Sequence, residues 1–192
     1  MGAESQRRKT RQLAFVLDAV RASGTEHPSA DRIFARVRGV LPTISLGTVY
    51  RNLHRLAADP SLIPAAVEEM LRWGSVTMQF RRTATRDTEL GDVPVREGDK
   101  VVVYFISANY DEEVFADPFR FDIARDPNPH VAFGSGGPHF CLGAPLARME
   151  MRVMFEELLP RLARVDLVGL ISRLRSNFIN GIKHMPVRVE LA

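Results

Sequence analysis

The chain has 192 residues, 45% of them hydrophobic and 26% charged, which is the composition of a globular protein with enough apolar material for a core. Its single cysteine excludes an internal disulfide and any zinc or iron–sulfur site built from several thiolates. No apolar run reaches the length of a membrane span, and the first twelve residues lack the apolar core of a signal peptide. We therefore expect a cytoplasmic protein with no membrane partner.

The net charge of +3 hides a division of the chain near residue 58. Residues 1–58 carry ten Lys and Arg against four Asp and Glu, whereas residues 59–192 carry 16 against 19. A basic segment suits binding to nucleic acid, and a solvated charged face is the alternative interpretation. The two parts are interpreted as two units.

Three helices are predicted in the first unit. Apolar residues at helical spacing begin at Leu13 and end before Gly24, and Ser29 can cap a second helix. Ser45 can cap the third helix. The apolar side of that helix is predicted to contain Leu46, Val49, Leu53 and Leu56.

The other side of the third helix is polar and suits DNA. Arg51 and Asn52 can reach base edges in a major groove, while the hydroxyl side chains contact phosphate. A packing unit with an exposed polar side is the alternative. The string HPSADRIFARVRGVLPTISLGTVYRNLHRLA resembles the winged-helix DNA-binding region of the ferric uptake regulator family, with SLGTVYRNL as its recognition helix. The candidate DNA-binding residues are Thr48, Tyr50, Arg51, Asn52 and Arg55.

This resemblance stops near residue 58. The wing, the dimerisation domain and the metal sites of that family are not recognised in the sequence that follows, so metal sensing is not expected, and His27 is interpreted as a surface histidine. Without a dimer partner the unit should bind DNA weakly and without sequence preference, because paired half-sites supply much of the affinity.

The second unit begins with a helix predicted over residues 65–73, which puts Glu69 and Arg72 three residues apart on one face. Such a pair is ordinarily a surface ion pair of small energetic value. Strands are predicted over 76–82 and 101–106, with the string GDVPVREGDK as the turn region between them. An irregular segment is expected over 119–130.

The segment 133–143, FGSGGPHFCLG, surrounds the cysteine with four glycines and a proline. Glycine allows sharp turns and the close approach of a flat group to the backbone. Apolar spacing predicts a helix over 144–159, so Cys141 lies near a helix N-terminus, where the N–H groups and the dipole stabilise a thiolate. One thiolate suffices as the axial ligand of a haem. A small buried hydrophobe is the alternative interpretation of a single cysteine.

This segment resembles the haem-binding loop of the cytochrome P-450 family. The resemblance implies that Cys141 is the axial ligand of the iron of haem b, that His139 donates to a haem propionate, and that Phe133 covers the proximal face. The remaining cofactor-binding residues that it implies are Gly134, Gly136 and Gly143, which admit the cofactor, and Arg82, which binds a propionate.

Other positions carry the same resemblance. Glu69 and Arg72 match the Glu-x-x-Arg signature of the family, and the string DPFRF supplies Arg120 as the third partner of a buried structural network. Residues 107–117 resemble a short helix of the family, but Tyr110 stands where relatives usually have arginine, so a local packing change is expected. A turn is predicted at Asn180 and Gly181. The resemblance implies that the substrate is lined by residues near this turn and after the first helix of this unit, namely Val76, Met78, Phe178 and Ile179. A role in the core is the alternative for these four residues.

The resemblance implies a haem-thiolate monooxygenase that hydroxylates an apolar substrate, such as a steroid or branched lipid. Electrons would arrive from a ferredoxin or flavoprotein steered by Arg125, Arg148 and Arg152. The distal helix that relays protons is not recognised in the sequence, so we expect no oxygenation by this chain alone. A DNA-binding regulator module and a chimera with neither activity are the alternatives.

The fold class that follows is α+β. It comprises a truncated winged-helix unit over residues 1–58 and a haem-binding unit over residues 59–192.

Overall fold

The structure is a computed structural model that describes residues 46–192. The first two predicted helices, His27 and the capping role of Ser45 lie outside the described residues, as do the side chains of Leu46 and Tyr50. In residues 46–192 no helix is long and apolar enough to cross a bilayer.

Two helices open the described part of the chain and meet at a sharp turn. Helix α1 spans Leu46–Ala58, and helix α2 spans Ile63–Gly74. Between them is a 3-10 turn, Pro60–Leu62, which Asp59 caps by accepting a hydrogen bond from the Ser61 amide at 3.1 Å. Helix α2 ends at Ser75, which adopts the left-handed conformation.

Antiparallel strand pairs and two further helices complete residues 46–192. Helix α3 is one turn, Phe105–Ala108, and helix α4 spans Ala144–Leu158 after a long irregular segment. A 3-10 turn, Leu159–Arg161, follows α4. The strand pairs are β1 (Gln79–Thr83) with β4 (Lys100–Tyr104), β2 (Thr88–Leu90) with β3 (Val93–Val95), β5 (Leu162–Leu167) with β8 (Val187–Leu191), and β6 (Ser172–Arg173) with β7 (Ile182–His184).

The strands agree with the sequence pattern in part. Strands β1 and β4 overlap the two predicted runs. The β2–β3 hairpin is not predicted: β2 lies just before the predicted turn region, and β3 lies within it. The helix expected over 107–117 is not formed, and the single turn of α3 overlaps only its first two residues. The predicted turn at Asn180 and Gly181 lies between β6 and β7, where the Leu174 amide donates to the Gly181 carbonyl at 2.9 Å. The loop is therefore longer than a two-residue hairpin.

The main core crosses the boundary at residue 58. Leu56 of α1, with 1% of its surface exposed, packs in the same cluster as the buried side chains of α2. The other buried members are Ile63, Ala66, Val67, Ile123 and Leu159. Helix α1 is therefore part of the packing of the second unit.

Helix α1 has its predicted orientation in part, because Leu53 and Leu56 pack in the core as expected. Asn52, expected on the polar side, is 9% exposed, whereas Val49, expected on the apolar side, is 39% exposed. Asn52 can be buried because its side-chain amide donates to the Thr48 carbonyl at 2.9 Å, which satisfies a donor. The inward side of α1 therefore contains Asn52 beside Leu53 and Leu56, and Val49 is the predicted apolar residue that it does not contain.

Helix α4 forms where the apolar spacing predicts it, but many of its apolar side chains are exposed. Leu146, Met149 and Val153 lie on one face and are 51 to 55% exposed, and Leu142 just before the helix is 97% exposed. Met151 and Phe155 are the side chains of α4 that pack against the core cluster.

Candidate cofactor site

The loop over residues 133–143 is closed by its own backbone. The Cys141 amide donates to the Phe133 carbonyl at 3.0 Å, and the Phe140 amide donates to the Gly137 carbonyl at 3.1 Å. Gly134, Gly136 and Gly137 have φ of +89°, +96° and +76°, which side chains of L-residues rarely adopt. This loop conformation therefore depends on glycine.

The thiol of Cys141 is presented to solvent, and the alternative of a buried hydrophobe does not fit it. It lies two residues before Gly143, the N-cap of α4, and a Cβ at Gly143 would stand 3.9 Å from the sulfur. Phe140 and Leu142 flank the thiol and are exposed. In the part of the chain that the structure describes, no three His, Cys, Asp or Glu side chains cluster as metal ligands. A lone thiol on an open apolar surface fits a flat cofactor that needs one thiolate ligand, and does not fit a bare metal ion.

Glu69 and Arg72 form a fully buried ion pair at the end of α2. Arg72 Nε donates to Glu69 Oε2 at 2.7 Å, Arg72 Nη2 donates to Oε1 at 2.8 Å, and both side chains are 0% exposed. Arg72 Nη1 donates to the carbonyls of Asn109 and Pro118 at 2.8 and 3.0 Å. These bonds take the place of water around a fully buried pair, and they fix α2 to the backbone at Asn109 and Pro118.

The third side chain of this network is Arg125, which corrects the expectation of Arg120. Arg125 Nε donates to Glu69 Oε2 at 3.1 Å, and its side chain is 9% exposed. Arg120 is 71% exposed and lies 3.9 Å from Asp122. The reason is the direction of the backbone: the Arg120 carbonyl accepts from Arg125 Nη2 at 2.8 Å, so the carbonyl faces the network and the side chain faces solvent.

Glu68 forms a second network, which the sequence reasoning missed although this residue directly precedes Glu69. Arg148 of α4 donates to it twice, from Nε to Oε1 at 2.7 Å and from Nη2 to Oε2 at 2.8 Å. His130 Nε2 lies 2.9 Å from Oε2. The Arg148 guanidinium stands 4.9 Å from the centre of the Phe133 ring. We call Glu68, His130, Phe133 and Arg148 the Glu68 cluster.

Burial and pairing shift the pKa values in this cluster. Burial raises the pKa of the Glu68 carboxyl, but the hydrogen bonds from Arg148 and His130 outweigh it and bring that pKa below its ordinary value. Burial lowers the pKa of His130, against the opposing effect of Glu68. The hydrogen bonds to Glu68 raise the pKa of Arg148. The carboxylate and the guanidinium therefore remain charged at neutral pH.

His139 and Arg82, the candidate propionate partners, have exposed side chains. His139 lies in the loop before Cys141, and Arg82 lies on β1, where its Nη1 donates to the Arg81 carbonyl at 3.1 Å. The guanidinium of Arg82 also stands 5.4 Å from the Phe80 ring. Both side chains can therefore meet a carboxylate from solvent.

The structure brings the four candidate substrate-lining residues together. The Met78 amide donates to the Phe178 carbonyl at 2.9 Å, and the Asn180 amide donates to the Val76 carbonyl at 2.7 Å. Val76, Phe178 and Ile179 are 37 to 53% exposed, but Met78 is 2% exposed. The Met78 side chain is therefore a core residue, and the other three present apolar surface.

Tyr110 occupies the interior beside the Arg72 network. Its ring centre is 5.1 Å from the Arg72 guanidinium, and its hydroxyl donates to the Trp73 carbonyl at 2.8 Å. Burial raises the pKa of this phenol. The expected packing change at this position thus takes the form of a buried phenol that retains a hydrogen bond.

Two of the candidate DNA-binding residues that the structure describes are exposed arginines. Arg51 and Arg55 face solvent, and Arg51 Nη2 donates to Thr48 Oγ1 at 3.2 Å. Asn52 is turned into the core and cannot reach a base edge in this packing. Helix α1 therefore offers positive charge without the predicted amide.

Comparison with known proteins finds two families along this chain. The Cytochrome P450 family model matches residues 55–164, and the Ferric uptake regulator family model matches residues 4–68. The matches overlap over residues 55–68, which include the end of α1 and the first half of α2.

Individual relatives agree with the larger match. The methyl-branched lipid omega-hydroxylase of Mycobacterium tuberculosis is 53% identical over 66% of this chain and 29% of its own length. The steroid C26-monooxygenase of Mycolicibacterium smegmatis is 46% identical over 64% of this chain and 29% of its own length. A solved cytochrome P450 of Mycobacterium marinum in complex with pseudoionone is 47% identical, with a TM-score of 0.66 over 70% of this chain and 32% of that one. The chain thus spans about a third of the length of these relatives.

Proposed function

The chain belongs to the cytochrome P450 family, and on that premise we propose that residues 59–192 are the haem-binding portion of a haem-thiolate monooxygenase. The observation that carries the proposal is the exposed Cys141 thiol on a loop held by glycines at positive φ. The chain joins this segment to one that matches the ferric uptake regulator family.

The residues that would hold haem b have distinct tasks. Cys141 would supply a thiolate to the iron, His139 and Arg82 would donate to the propionates, and Phe133 would shield the thiolate. Haem, when bound, supplies the redox-active iron at which monooxygenases activate dioxygen. The Glu69–Arg72–Arg125 network holds the segment before the loop, and its role is structural.

An apolar substrate is the class that this chain favours. Relatives are named for the omega-hydroxylation of methyl-branched lipids and for the C26 oxygenation of steroids, and Val76, Phe178 and Ile179 present apolar surface here. We propose hydroxylation of a branched lipid or steroid side chain, with electrons from a ferredoxin or flavoprotein. Arg125 and Arg148 are engaged in ion pairs, so Arg152, which is exposed, is the arginine of the three left to steer that donor.

The test is haem reconstitution of the full chain followed by the spectrum of the reduced carbon-monoxide complex. We expect one haem per chain and a thiolate-type Soret band that Cys141→Ala abolishes. Leu170→Ala is the control, because this side chain is 93% exposed, lies outside residues 133–143 and should leave the band unchanged. Absence of the band, or its survival in Cys141→Ala, contradicts the assignment.

We also propose a second function, weak binding of DNA through the N-terminal unit. It is supported by the family match over residues 4–68 and by the exposed Arg51 and Arg55. With Asn52 buried, binding should depend on phosphate contacts and show little sequence preference.

Duplex affinity measured against salt concentration tests this second function. Replacement of Arg51 and Arg55 by alanine should lower the slope of log affinity on log salt by about 1 for each arginine that binds a phosphate. A salt-independent signal, or arginine variants that bind like the wild type, contradicts it.

A further inference from the structure

The Glu68 cluster connects three segments that are far apart in sequence. Glu68 lies on α2, His130 and Phe133 lie before and at the start of the cysteine loop, and Arg148 lies on α4, five residues after the loop ends. The Glu69–Arg72 network does not include these side chains. One carboxylate therefore contacts the chain on both sides of the loop that carries Cys141.

The hydrogen bonds fix the protonation of His130. Its Nδ1 accepts from the Ala132 amide at 3.2 Å, so Nδ1 carries no proton. Its Nε2 must then carry the proton and donate to Glu68 Oε2 at 2.9 Å. Each of the two ring nitrogens has one partner, so the imidazole holds residues 130–132 against α2.

Arg148 extends the cluster to the loop itself. Both of its bonds to Glu68 fix the plane of the guanidinium, which then stands 4.9 Å from the Phe133 ring centre, within the range of a cation–π contact. The Phe133 carbonyl in turn accepts from the Cys141 amide at 3.0 Å. A continuous series of contacts therefore leads from Glu68 to the backbone of Cys141.

We propose that Glu68 is a positioning residue for Cys141: it orients Arg148 and His130, and through them the Phe133 end of the cysteine loop. The inference rests on the proposed haem-binding function, because that function gives the loop its task. Glu68 does not touch the thiol and acts through Arg148 and Phe133.

An ordinary surface ion pair is the competing explanation, and the chain contains a matched example. Glu157 and Arg161 are 64% and 71% exposed and join at 2.7 Å through a single hydrogen bond. Glu68 and Arg148 are 25% and 28% exposed, and Glu68 accepts three hydrogen bonds. Glu157→Gln therefore serves as the control for Glu68→Gln.

The first measurement uses the full chain without haem. In Glu68→Gln we expect the Cys141 amide to exchange about tenfold faster, the effect of losing one charge-assisted hydrogen bond in the series. The ¹⁵N signals of His130 should shift from the Nε2–H tautomer toward a mixture. Glu157→Gln should change neither. The proposal is overturned if the Cys141 amide exchanges at the same rate in Glu68→Gln and Glu157→Gln. It is also overturned if Glu68→Gln accelerates exchange of the buried α2 amides as much as that of Cys141, because Glu68 would then have no specific effect on the loop.

A second variant separates the contact of Glu68 with Arg148 from its contact with His130. It also tests the proposal if Glu68→Gln fails to fold. Arg148→Lys retains a positive charge but loses the bidentate geometry. It should accelerate exchange at Cys141 while leaving the His130 tautomer unchanged. Unchanged exchange at Cys141 in this variant also overturns the proposal.

The second measurement uses the haem-loaded chain. Glu68→Gln should convert part of the thiolate-type Soret band of the reduced carbon-monoxide complex to a band without thiolate ligation, and Glu157→Gln should not. If the wild type binds no haem, the proposed function fails, while the exchange rates still decide whether Glu68 positions Cys141. If the wild type shows the thiolate-type band and Glu68→Gln leaves both the band and the exchange rate unchanged, the positioning role alone fails.

Discussion

Replacement of Arg125 by alanine tests the network that the structure assigns to this residue. The change removes the Nε bond to the fully buried Glu69 and three bonds to backbone carbonyls. Removing one partner of a buried pair costs about 3 to 5 kcal/mol when the other charge is left alone. Glu69 keeps both bonds from Arg72, so the loss is closer to one charge-assisted hydrogen bond, about 1.5 to 3 kcal/mol.

Arg120→Ala is the matched control, because Arg120 belongs to the same segment and is the residue expected from the sequence. Its side chain is 71% exposed and lies 3.9 Å from Asp122, so its removal should cost about 0 to 1 kcal/mol. Both variants replace arginine by alanine, so the same atoms are lost at the two positions. The difference between the two variants therefore measures the buried contacts of Arg125.

The assay is urea unfolding followed by tryptophan fluorescence. Trp73 is the single tryptophan of the chain, and its ring lies 5.6 Å from the Arg72 guanidinium, so its emission reports on this network. We expect a lower unfolding midpoint for Arg125→Ala with an unchanged slope. Equal destabilisation by Arg120→Ala and Arg125→Ala would refute the assignment of Arg125 to the network.

Three further predictions address the rest of the structure. Because burial lowers the pKa of His130 below its ordinary value of 6.5, the unfolded chain binds the proton first as the pH falls, so the free energy of unfolding should decrease below about pH 6.5. His130→Asn should reduce this dependence in urea titrations across pH, and an unchanged slope contradicts it. Gly136→Ala, at a φ of +96°, should destabilise the protein by about 1 to 2 kcal/mol through strain alone, while Gly74→Ala, which also meets no neighbour but has no positive φ, should not. Leu56→Ala should cost about 2 to 5 kcal/mol and Val49→Ala much less; equal costs in urea unfolding would show that Val49 is buried together with Leu56, as their spacing predicts.

Local features of the site could be predicted because they depend on neighbouring residues. Glycines around Cys141 specify a loop at positive φ, and Glu69 and Arg72 meet because residues three apart share a helix face. The spacing of apolar residues likewise located α4. Apolar spacing did not predict whether another segment packs against the apolar face of α4, where Leu146 is about half exposed.

The partners of Glu69 and Glu68 depend on how distant segments pack. Arg120 and Arg125 are separated by five positions, and the direction of one backbone carbonyl determines which of them reaches the buried carboxylate. Glu68 and Arg148 are 80 residues apart, a distance at which periodicity carries no information about contact.

The orientation of α1 shows the same limit within one helix. Residue spacing is enough to predict helix α1, but only the packing of Leu53 and Leu56 in the core cluster decides that Asn52 rather than Val49 is buried beside them. The physical reason is that a buried amide with a backbone acceptor costs little, so the side of α1 that packs in the core can include a polar residue.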